Sequence, residues 1–199
     1  MSDSSHPAWN PALEEVIKRE GETAESLFWL HNKATLWAQR RNDCLQIPTI
    51  VLSSVTGFFS ATTDMVPQMA LGGVSLLVGI LTTINSYYRF SSRQEAHKIA
   101  AQLYMKAYKT IEVELSLPVS QRSDAGALLK ELRDQLARIS ETAPPVPEVV
   151  IAAYKREFRE GTTAKPIIAN GLDPIVVFRE SVQHVEPRSP ERPVVRVMV

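Results

Sequence analysis

The chain reads as all-α: a two-span transmembrane helical hairpin, extended by long cytoplasmic helices and followed by a disordered C-terminal tail. Three observations predict this. Between Cys44 and Tyr88 the one charged residue is Asp64. An α-helix rises about 1.5 Å per residue, so each uncharged run of roughly 20 residues matches the ~30 Å hydrocarbon core of a bilayer. Apolar residues on both flanks recur in alternating steps of three and four, the period of helices that pack along a seam. From Gly161 onward the chain is Pro-rich and aperiodic, as in RSPERP, which predicts an extended or disordered tail.

At 199 residues the chain fits one domain with tails. The expected division is a flexible N-terminus (1–10), a two-transmembrane helical domain (11–158, spans about 45–63 and 66–88) and a tail (159–199). Net charge is zero, so nothing attracts the chain to nucleic acid in bulk. The lone cysteine, Cys44, excludes an internal disulfide and a Cys-rich metal site. The start is polar and the first apolar run lies more than 40 residues in, so no cleavable signal peptide is expected and that run acts as an internal insertion signal. No N-x-S/T sequon is present.

The first helical pattern runs from about Pro11 to Asn42. Leu13, Ile17, Ala24, Leu27, His31, Ala34 and Ala38 form its stripe, with Glu20 as a polar exception. Pro11 suits a first helical turn. Gly21 is a plausible break that would divide the pattern in two. The first span follows, with Pro48 near its start, where a missing N–H costs least. Ser53, Gly57 and Ala61 make a small-residue face on it. Ser75, Gly79 and Thr83 make a matching face on the second span. Such faces let helices approach closely, so they are expected to pack against each other or against a neighbouring subunit. Asp64 and Pro67 mark the link, and Tyr87 and Tyr88 suit the headgroup zone.

The third helix is expected to run on from the membrane into water. Phe90, Gln94, His97, Ala101, Tyr104, Tyr108, Ile111 and Leu115 form a heptad seam ended by Pro118. A fourth helix is expected over about 124–141, and a short one over about 148–159 after APPVPE. Lys33, Arg40 and Arg41 precede the first span, and Arg89, Arg93 and Lys98 follow the second, while the link has no Lys or Arg. The positive-inside rule then places both termini in the cytoplasm and the link outside. A helix pair buried in a soluble bundle is the rival reading, but the rest of the chain has too little apolar surface to wrap it.

The search for chemistry is mostly negative. G-x-S-x-G, P-loop, G-x-G-x-x-G, H-E-x-x-H and C-x-x-C motifs are absent, so no catalytic, cofactor-binding or metal residues are assigned and an enzyme is not expected. His31 and His97 each lie on an apolar stripe about a dozen residues from a span. If the flanking helices extend the hairpin, the two meet at similar height, as a pH-sensitive or hydrogen-bonded contact. The plainer and favoured alternative is a pair of ordinary interhelix histidines. Cys44, at the boundary, is a palmitoylation candidate or simply a small apolar residue. Ser and Thr hydroxyls in the spans could line a path for water, or bond back to their own helices. Asn85 is the strongest single candidate, because an amide in a span finds a specific partner. Asp64 is either part of a carboxylate ring at an outer mouth or a solvated turn residue.

Three segments, IPTIVLSSVTGFF, GGVSLLVGILTTINSYYRF and EAHKIAAQLYMKAYKTIEVELSLPVSQR, resemble the SLATT domains, the SMODS- and SLOG-associating two-transmembrane family, including versions encoded by large DNA viruses. The resemblance covers roughly residues 12–158. It implies a membrane pore-forming effector without catalytic residues, its pore role falling on the two spans. Members are often encoded beside nucleotide-second-messenger or ligand-sensing modules; this chain carries no fused sensor, which leaves its trigger open, an unidentified sensor or partner protein being one candidate. The expectation is an oligomeric pore or channel in a lipid bilayer, since two helices cannot enclose an aqueous path alone. The alternative is a non-conducting structural or scaffolding membrane protein, for example of a viral envelope, whose cytoplasmic helices and tail recruit partners.

Overall fold

The computed structural model describes residues 8–61, 67–159 and 164–170. Six α-helices and one 3₁₀ turn make up its regular structure, and no strand occurs among the described residues. They are α1 (Pro11–Ala61), α2 (Gln68–Tyr88), α3 (Phe90–Ser116), a 3₁₀ turn (Val119–Gln121), α4 (Ala125–Thr142), α5 (Glu148–Glu157) and α6 (Ile167–Asn170). α1 packs antiparallel against α3 and, farther along, against α2. The all-α hairpin expected from the periodicity is therefore what the chain forms. Asp64 and the tail from 171 onward lie outside the described residues.

One uninterrupted phase organises α1. Ile17, Gly21, Ala24, Phe28, His31, Thr35, Ala38 and Asn42 alternate steps of four and three. The same alternation continues through Leu45, Thr49, Leu52, Thr56 and Phe59, and every one of these residues is buried or half-buried. Strict 4-3 spacing keeps one seam facing a partner along the whole helix. The opposing seam is Leu71, Val74, Val78, Leu81 and Asn85 on α2, then the expected Phe90-to-Leu115 series on α3, all buried or half-buried. Strict continuation of the α2 spacing would bring in Tyr88 and Ser92, yet both are exposed. Arg89 accounts for the shift: it sits in the left-handed region (φ 48°, ψ 45°), and it divides α2 from α3. The continuous third helix expected from the sequence thus has a joint at Arg89.

Gly21 is not a break. It lies inside α1, where a Cβ would come within 2.9 Å of Ile111 Cγ2. Its missing side chain is what lets the two helices meet there. Pro48 also lies inside α1 without ending it.

The core lies in the half of the hairpin away from the link. Ile17, Ile111, Leu128 and Leu132 form one cluster; Ala24, Tyr104 and Ile139 form the next. Leu128, Leu132 and Ile139 form the inner face of α4, and Asp124 caps α4 by accepting from Ala127 N–H at 2.8 Å. A third cluster joins Leu30 and Ala34 of α1 to Val150 and Tyr154 of α5 and Ala169 of α6. Residues 164–170, in the stretch assigned to the tail, therefore fold back on α1. Ala164 N–H donates to Glu22 Oε2 (2.8 Å), and Ser26 Oγ donates to Ala164 O (3.3 Å).

Candidate functional site: polar layers in the hairpin seam

Two opposed heptad seams bring His31 and His97 together. Their Nδ1 atoms are 3.0 Å apart, and each residue is about 3% exposed. At that distance one ring carries its proton on Nδ1 and donates to the bare Nδ1 of the other, so the pair exists as two different neutral tautomers. Tyr104 stacks on His31 with centroids 5.5 Å apart and planes at 26°. Burial pushes the His31 pKa down to about 4, with the nearby His97 as a second cause. Burial also lowers that of His97, with the Arg93 charge adding to it. Both effects favour the uncharged pair, because a second proton would set two N–H groups against each other in a dry seam.

Five residues from Trp37 and Phe90, whose rings meet edge-on at 6.1 Å, the same register sets Asn42 level with Asn85. The Asn42 amide donates to Gln46 Oε1 at 2.8 Å. The Oδ1 atoms of Asn42 and Asn85 are both buried and accept no hydrogen bond from a described residue. An unpaired buried acceptor costs about 1–3 kcal/mol, so this level is the least satisfied part of the seam. Asn85 is the span residue from which a specific partner is expected, and its Oδ1 accepts from no described residue.

Beyond these layers come the apolar segments. Each of the two helical stretches, α1 and α2–α3, contains a window long and apolar enough to cross a membrane, and neither window has a buried residue. Thr49, Ser54, Thr56, Ser60 and Thr83 each donate to the carbonyl four residues back, at 2.7–2.9 Å. These hydroxyls are satisfied by their own helices.

The two small-residue faces do not pack on each other. Ser53, Gly57, Ala61, Ser75, Gly79 and Thr83 are all exposed, and a Cβ on Gly57 or Gly79 would meet nothing within 4 Å. The phase carried up from Ile17 turns Leu45, Thr49, Leu52, Thr56 and Phe59 inward, which leaves the 53/57/61 line on the outside. Cys44 is exposed. Among the described residues no group of three or more His, Cys, Asp or Glu could hold a metal ion.

A site that sequence reasoning missed closes the opposite end of the hairpin. Arg122 donates to Glu14 Oε1 (2.6 Å), Leu117 O (2.8 Å) and Leu115 O (3.2 Å). Its guanidinium lies 4.9 Å from the Trp9 ring, and Trp9 Nε1 donates to Ser123 O at 2.8 Å. Ser123 in turn donates to Glu114 from both N–H and Oγ. Arg122 thus satisfies carbonyls at the C-terminal end of α3 and ties them to α1. The arrangement is a clasp between the ends of α1 and α3. No family model matches this chain, and no curated protein or solved structure matches it either.

Proposed function

We propose that the protein is a two-span membrane protein of the SLATT type that assembles through its outward faces into a pore or channel. The observation that carries this reading is the contrast between the two halves of one seam. Near the histidines the hairpin is wrapped by α4, α5 and α6; along the apolar windows no described element wraps it. Ile47, Ile50, Val51, Phe58, Leu76 and Ile80 are exposed there, an apolar surface that a bilayer or other subunits would cover. The core helices of a soluble bundle would be mostly buried instead. The Lys and Arg flanks support a topology with both termini and the wrapped half in the cytoplasm.

The small-residue faces support assembly. Unused within the hairpin, they leave Gly57 and Gly79 open to close approach by a neighbouring copy. The test is dye and ion flux from liposomes carrying the purified full chain, paired with the mass of the detergent-solubilised assembly. Leakage together with a closed ring of four or more subunits is expected. A tight monomer or dimer that leaks nothing would overturn the pore. The non-conducting scaffold is the reading that such a result would favour.

A further inference from the structure

At the end of the apolar windows nearest the histidines, four arginines occupy one band. Arg40 and Arg41 stand just before Asp43 and Cys44 on α1, and Arg89 follows Tyr88 at the joint between α2 and α3. Arg93 lies one turn beyond, its N–H bonded to Arg89 O. The register that sets Trp37 against Phe90 puts Arg40 and Arg41 opposite Tyr87 and Ser86, about 3–5 Å along the axis from Arg89. At 1.5 Å per residue all four fall within about 8 Å of Cys44 or Tyr88, the nearer ends of the two uncharged runs. All four are exposed.

Several other basic residues have acidic partners, although Lys33, over the Trp29 ring, and Lys106 make no ion pair with a described residue. Lys18 pairs with Glu15 and Glu22, Lys98 with Glu95, Lys109 with Glu112, and Arg122 with Glu14. Arg40, Arg41, Arg89 and Arg93 make no ion pair with any described residue. Two carboxylates stand near them among those residues: Asp43 on α1, and Glu95, which pairs with Lys98 and lines the cleft beside Arg89. Arg41 instead lies 5.4 Å from the Trp37 ring. Beside Arg89 a cleft of about 600 Å³ opens, lined by Ser91, Ser92, Gln94 and Glu95.

We propose that this band binds the phosphates of anionic phospholipids in the leaflet facing the wrapped half of the molecule. The inference rests on the membrane reading above. A guanidinium presents a planar fork that matches phosphate oxygens two at a time. A band around both helices, rather than one concave cluster, is complementary to a plane of headgroups and not to a single compact anion. Tyr87, 80% exposed, and Tyr88 lie immediately on the apolar side, where amphipathic rings favour the headgroup zone.

Native mass spectrometry of the full chain in detergent, titrated with phosphatidylglycerol and with phosphatidylcholine of the same acyl chains, tests the proposal. Phosphatidylglycerol should be retained better, by roughly fivefold for each arginine engaged. A variant with R40Q, R41Q, R89Q and R93Q should lose that preference, and the matching four-lysine variant should keep part of it. Equal retention of the two lipids by the wild-type chain overturns the proposal, and that comparison needs no variant to fold. Displacement of phosphatidylglycerol by an equal concentration of inorganic phosphate also overturns it, because a free anion would then be the better ligand. Carbonate extraction of native membranes keeps the two readings apart. A chain that stays in the membrane but shows no lipid preference sinks only the arginine band, while a released chain sinks the membrane reading beneath it.

Discussion

At Gly21, helix propensity and packing oppose each other. Alanine should favour the helix by up to about 1 kcal/mol, yet its Cβ would sit 2.9 Å from Ile111 Cγ2. Overpacking of this kind costs about 1–3 kcal/mol, so Gly21→Ala should destabilise the fold in urea titration. In an Ile111→Ala background the same change should become neutral or stabilising. The histidine pair yields a second prediction. A histidine whose folded pKa is depressed contributes full stability above its unfolded value, near 6.5. That stability is lost as pH falls toward the folded value, about 4 for His31. The fold should therefore weaken between pH 6.5 and 4, by about 2–3 kcal/mol from His31. His31→Phe should flatten most of that slope, and a pH-independent wild-type melting profile would contradict the assignment. The sequence could suggest that His31 and His97 meet, because each has a place on a visible seam. It could not reveal why Gly21 is glycine, since the reason lies 90 residues away at Ile111.

Among the elements, α3 was the most legible, because the series from Phe90 to Leu115 needs only its own spacing to declare its inner face. The sidedness of the apolar segments was not legible. Steps of four through Ser53, Gly57 and Ala61 look like a packing face when read alone. The actual face is dictated by the phase that α1 brings from Ile17, and small residues have no say where Leu and Thr already fill the seam. Gly57→Leu and Gly79→Leu should accordingly leave helix content by circular dichroism unchanged while reducing the assembled mass in detergent. Loss of helix in either variant would mean that the faces pack within one hairpin after all. Arg122 was invisible for a different reason: a loop arginine carries no periodicity, and its partner Glu14 is 108 residues distant. Arg122→Ala removes a part-buried ion pair and uncovers two carbonyls of α3, so a loss of about 2–3 kcal/mol in chemical unfolding is expected.

Across the molecule, the decisive contrast among the described residues is between a wrapped half with three buried clusters and a bare half with none. Carbonate treatment should leave the chain in the membrane pellet, and release without detergent would return the bare half to a soluble assembly. The two arms of the hairpin also differ in continuity. α1 runs 51 residues without interruption, a rod of about 75 Å, whereas the opposing arm is jointed at Arg89. From the histidine layer to the apolar half, the backbone is therefore one unbroken helix on the His31 side and two helices joined through a single left-handed residue on the His97 side.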